Sequence, residues 1–149
     1  MYDYVDRRLN SLDTGSRFLV RSMRQWVQLM AQARCPRTAL EPVFARRGMS
    51  AALPDFHMAM ILLNRDAKET LRFAPLHCAH ACEDEAVLLS LARLLLDGRR
   101  EAADGLFALL VVEEAVFALS RALSTVSAQI WARSADDDDR VSGKGLIGK

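Results

Sequence analysis

The densest group of reactive side chains in this sequence is the stretch His77-Cys78-Ala79-His80-Ala81-Cys82. Soft thiolate and imidazole ligands suit zinc, and a structural zinc site takes four of them in a tetrahedron. Adjacent His77 and Cys78 would strain to reach one ion, so a workable set takes Cys78, His80 and Cys82 from this stretch and Cys35 from elsewhere in the chain. The spacing departs from the C-x-x-C, H-x-x-x-H and C-x-x-C-H units of familiar metal sites. A plainer reading is also open. Cys82 precedes Glu83-Asp84-Glu85 and Cys35 precedes Pro36, both at expected helix starts, and cysteine is among the most often buried residues. A thiol at a helix N-terminus has its thiolate favoured by the helix dipole, which makes Cys35 or Cys82 a redox candidate, although Glu83 to Glu85 oppose this at Cys82. His57, in the first turn of an expected helix, reads as an ordinary half-exposed histidine.

Charge forms the second constellation. The net charge is only +1, yet residues 1–50 hold nine arginines against four acids. Arg17, Arg21 and Arg24 recur at four and three residues and so form one stripe on a helix. Such a stripe suits phosphates, an acidic partner, the acidic end of the same chain, or plain solvent. Neither a helix-turn-helix pattern nor an interleaved aromatic platform accompanies it, which disfavours nucleic acid. Glu113 and Glu114 interrupt the apolar run FALLVVEEAVFALS. Adjacent helical positions point ~100° apart, so the two do not clasp one substrate atom. A buried Glu113 would need a cationic partner such as an arginine of the first helix. The phosphate-binding, dinucleotide, hydrolase and H-E-x-x-H motifs are absent, which leaves no sequence argument for an enzyme.

The elements that position these residues are helical. The chain has 149 residues, 51% of them hydrophobic, with seven Gly and four Pro. That suits one domain with one core, and apolar positions recur at three and four instead of alternating. Uncharged runs such as 105–112 and 122–132 fall far short of the ~20 residues of a membrane span. The opening residues carry Asp3, Asp6, Arg7 and Arg8 with no apolar segment after them, so the expected address is the cytoplasm. Three cysteines without an export signal read as free thiols.

The spacing predicts an all-α bundle of about five helices over residues 14–134, after a weakly ordered leader at 1–13. Helix one runs from Asp13 or Thr14 to about Ala33. A short second helix lies between a Thr38–Glu41 capping box and Gly48. Pro54 opens the third. Residues 69–82 form a long irregular connection, of the kind that is more often functional than shorter ones. Helix four follows from about Glu83 to Asp97. A fifth, long and central, runs from about Arg99 to Ala132 with the apolar seam Leu109, Val112, Val116, Leu119, Leu123, Val126 and Ile130. Phe107, Leu110 and Phe117 lie off that seam and form a candidate interface between copies. Residues 135–149, with the run Asp136 to Asp139, read as a disordered tail.

The order Arg17-Phe-Leu-Val-Arg21, Trp26, Cys35-Pro36, Leu71-Arg-Phe73, Cys78 and Asp84-Glu85 resembles a group of short all-helical alpha-proteobacterial proteins. The resemblance implies a bacterial cytoplasmic protein and brings no activity, cofactor or site. The sequence therefore leads to a non-enzymatic interaction or regulatory protein, homo-oligomeric through Phe107, Leu110 and Phe117 or through an apolar face of helix one, with no membrane. The alternative is a metal-binding or metal- or redox-sensing protein, with zinc as the cofactor, that uses loop 77–82 and Cys35.

Overall fold

The computed structural model describes Tyr4 and residues 6–147, with side chains as far as Ala135. Six helices follow one another: α1 Thr14–Ala31, α2 Pro36–Arg46, α3 Leu53–Asp66, α4 Glu83–Leu96, α5 Arg100–Leu110 and α6 Glu113–Ile147. The all-helical expectation holds; the count of five does not. The expectation of a disordered tail falls on 135–149, where side chains past Ala135 lie outside the described residues. Among the described residues no helix is long and apolar enough to cross a membrane.

The central strut is α6, which packs on α1, α3, α4 and α5. Leu119, Leu123, Val126 and Ile130 of the expected seam are fully or almost fully buried. The seam stops there, because the expected fifth helix breaks at Val111-Val112. Val111 is extended (φ −127°, ψ 163°) and forms an antiparallel bridge with Ala67 at the exit of α3. Lys68 N donates to Leu110 O at 2.8 Å and Val112 N to Asp66 O at 3.0 Å. Lys68 Nζ caps α5 by donating to Ala108 O at 2.7 Å. Two β-branched residues suit this extended pairing, and Glu113 and Glu114 suit the first turn of a new helix. The break corrects the burial pattern as well: Leu109 is 71% exposed, while Phe107 is a core residue and not an interface residue. Glu113 is exposed and needs no buried partner.

Local chemistry sets the other boundaries. Asp13 caps α1 by accepting from Ser16 N at 3.3 Å and also accepts from Trp131 Nε1 at 2.7 Å, tying the start of α1 to α6. The Trp131 indole lies over Gly15, where a Cβ would come within 2.8 Å of the ring. Helix α2 starts two residues before the expected capping box, with Cys35 as N-cap and Pro36 in the first turn, so Pro42 falls inside it. Left-handed residues end three helices. Gly48 (φ 69°) and Gly98 (φ 78°) do so after α2 and α4, and Ala33 (φ 55°) after α1. In each, the next residue's N–H reaches back five residues, as from Arg34 N to Leu29 O at 2.9 Å, the bond pattern of a Schellman cap.

Candidate functional site

The irregular connection expected over 69–82 is observed from Ala67 to Cys82, and it is pinned from both sides. On one side the leader pairs with it: Leu9 N donates to Ala79 O at 2.8 Å and Ala81 N to Arg7 O at 2.9 Å. Leu9 and Leu12 are buried, so the described part of the 1–13 segment packs as part of the domain. On the other side lies a buried ion pair, Arg24 with Glu85, both side chains 0% exposed. Arg24 Nε and Nη2 donate to the two carboxylate oxygens at 2.7 and 2.8 Å. The remaining guanidinium hydrogens reach the loop, Nη1 to Cys78 O at 2.8 Å and Nη2 to His80 O at 2.9 Å. Glu85 in turn accepts from Cys82 N at 3.0 Å and Ala74 N at 3.1 Å. The hydrogen bonds that Arg24 donates to Glu85 hold its guanidinium above the usual pKa. One pair of charges thus anchors four points of the loop, which burial alone could not fix.

This arrangement corrects the reading of Arg24 as a member of a basic face. It also gives the first helix its carboxylate partner, Glu85 in place of Glu113. Arg17 and Arg21 stay at the surface and line a cleft of about 500 Å3 with Asn10, Gln25, Arg46 and Arg47. Beside it, sharing Asn10, Arg21 and Gln25, lies an arm of about 450 Å3 walled by Leu76, His77 and Cys78. A third arm, of about 270 Å3, runs along Gln28, Gln32 and Arg34 opposite Leu40 and Val43. Gln25 is common to all three. The floor is therefore α1, with α2 as one wall and the clamped loop as the other. Among the described residues no carboxylate lines any arm.

The arginines differ in their commitments. Arg47 lies over the Phe18 ring, with Cζ 5.5 Å from its centroid, and Arg46 Nε donates to Pro42 O at 3.3 Å. Both sit at the C-terminal end of α2, where a cation is favoured. Arg17 sits near the opposite kind of helix end, where a cation is disfavoured, and donates weakly to Thr14 Oγ1 at 3.4 Å. Arg21 makes no hydrogen bond or ion pair among the described residues. Its spacing from Arg17 was legible in the sequence, and the same helix face continues at steps of four, three and four through Gln25, Gln28 and Gln32. The contribution of Arg46 and Arg47 came only with the α1–α2 packing.

The thiols and imidazoles are not drawn together. Among the described residues no three His, Cys, Asp or Glu side chains gather to hold a metal ion, so Cys35, Cys78, His80 and Cys82 do not form the expected set. The Cys78 thiol donates to His80 O at 3.4 Å and the Cys82 thiol to Arg72 O at 3.3 Å. Cys35 is exposed at the start of α2 and accepts from Thr38 Oγ1 at 3.4 Å. That bond lowers the Cys35 thiol pKa, whereas burial raises that of Cys82. His57 is half-buried and its Nδ1 accepts from Trp26 Nε1 at 3.0 Å. Burial, with some repulsion from Arg37, lowers its pKa, as suits a neutral acceptor.

Of the three candidate interface residues, Phe107 is buried, Leu110 is packed against the core, and Phe117 is 68% exposed. Comparison with protein-family models, with curated proteins and with solved structures finds no match.

Proposed function

We propose that the chain is a non-enzymatic helical interaction protein and that its binding face is the arginine-lined cleft between α1 and α2. The observation that carries this reading is the convergence of Arg17, Arg21, Arg46 and Arg47 on one cleft without a lining carboxylate. Four cations at close quarters repel one another, and a concave wall focuses their field toward an anion. Arginine presents its donors in a planar fork that fits carboxylate or phosphate. The expected result is that a fluorescent glutamate-only peptide binds at low ionic strength, and that binding weakens as salt screens the cleft. Arg21→Glu with Arg46→Glu abolishes it. Equal binding by this variant, whose substituted side chains are both exposed, contradicts the proposal.

Self-association is a second reading, favoured by Phe117. Among the described residues it is the only aromatic side chain of the large exposed apolar ones, and Arg100 lies 5.8 Å from its ring centroid. Under this reading wild type sediments as a dimer and Phe117→Glu as a monomer. Equal sedimentation of the two removes Phe117 from any interface.

A further inference from the structure

We infer that the cleft takes an extended acidic peptide, with the peptide's acidic end in the arginine arm and its backbone along the glutamine arm. This rests on the arginine cleft being the binding face and goes further by naming what lies in it. Arg17, Arg21, Gln25, Gln28 and Gln32 follow one another at four, four, three and four residues, and line two neighbouring cavities that share Gln25 and Val43. From Arg17 to Gln32 the helix rises about 22 Å at ~1.5 Å per residue. An extended chain of about seven residues covers that length at ~3.3 Å each.

The chemistry changes along the trough in a way that suits a polymer with unlike ends. Arginines dominate one end. Toward the other lie the amides Gln25, Gln28 and Gln32 and a single arginine, Arg34, with Leu40, Val43 and Leu76 beside them. Each amide carries both donors and an acceptor, the pattern that pairs with peptide N–H and C=O groups. Val43 and Leu76, both part-exposed, offer a seat for one aliphatic side chain of the guest. A free phosphate would fill the arginine arm and leave the amides unused. Single-stranded nucleic acid needs stacking platforms as well as cations. Of the two aromatic rings in this cleft, Phe18 is buried and lies under Arg47, which leaves His77 alone on the far wall and no succession of stacking surfaces. The loop wall is held by the Arg24–Glu85 pair, so the trough is preformed and less ordering entropy is lost on binding.

The test compares two labelled probes by fluorescence anisotropy at low ionic strength. One is a short glutamate-only peptide. The other has about seven residues, with glutamates at one end and a leucine beyond them, and is made in both chain directions. In one direction the longer probe binds at least about tenfold tighter. Gln28→Ala with Gln32→Ala, both at exposed positions, removes that gain without changing the charge and leaves the short probe unaffected. Arg21→Glu with Arg46→Glu abolishes binding of both. If both probes bind equally and only the arginine variant matters, the extended-peptide inference is overturned while the arginine cleft stands. If neither probe binds, both fall. A single-stranded oligonucleotide that binds tighter than the longer peptide also overturns the inference.

Discussion

Glu85→Gln changes one atom type in the core and removes the charge that Arg24 faces. The glutamate accepts four hydrogen bonds, two from Arg24 and one each from the Cys82 and Ala74 backbones. A glutamine offers one acceptor oxygen, so its NH2 must point at donors whichever way the amide is turned. The substitution therefore orphans about half of the bonds and leaves the Arg24 charge buried alone. Breaking a buried pair from one side costs about 3–5 kcal/mol, and the doubled clash puts Glu85→Gln near the upper end. Against a total stability of about 5–15 kcal/mol this is a large share. It corresponds to a fall in Tm of roughly 10–20 °C. Arg24→Lys keeps the charge but offers three donors where the guanidinium makes four bonds, so it costs less, about 1–3 kcal/mol. Urea unfolding measures both values, and amide exchange shows whether protection at residues 74–82 is lost first. A cost below about 1 kcal/mol for Glu85→Gln, or a larger cost for Arg24→Lys, refutes the reasoning.

Other consequences are open to simple assays. Ala33 occupies the left-handed cap position that Gly48 and Gly98 fill after α2 and α4, so Ala33→Gly raises stability in urea by up to about 1 kcal/mol, and Gly98→Ala lowers it by about as much. His57 has a depressed pKa in the folded state. Its contribution is present above the unfolded value of ~6.5 and is lost as pH falls toward the folded value. Stability therefore declines below about pH 6.5, and His57→Gln flattens that part of the profile; an unchanged slope contradicts the assignment. The Cys35 thiol is exposed with a lowered pKa while burial raises that of Cys82. Iodoacetamide at neutral pH should label Cys35 first by mass spectrometry, and faster labelling of Cys82 reverses that order.

Much of the fold was legible because its signals are local. Asp13, Pro54, the acids after Cys82 and the glycines at 48 and 98 each mark a helix end by their own chemistry, and each end falls where it was expected within a residue or two. The break at Val111-Val112 was not legible, because its cause is tertiary. Nothing near it is a Gly or Pro, and the bonds that open the helix come from Asp66 and Lys68. That one error carried Leu109 into an expected seam and Phe107 out to an expected surface. The site divides the same way. The spacing of Arg17, Arg21 and Arg24 placed all three on one stripe, but spacing cannot tell which arginine meets a buried carboxylate 61 residues away. The loop cysteines and histidines looked like ligands because they are close in sequence. The loop turns Cys78 and Cys82 toward backbone carbonyls instead.

The central claim is that the working surface is the cleft along α1. Two-dimensional amide NMR of the labelled protein, titrated with the longer acidic peptide at low ionic strength, addresses it residue by residue. With the peptide seated there, the largest shifts fall on Arg17, Arg21, Gln25, Gln28, Arg46 and Arg47 and on the wall at Leu76 to Cys78. Shifts centred instead on Leu109 and Phe117, or a spectrum that does not move, would contradict that claim.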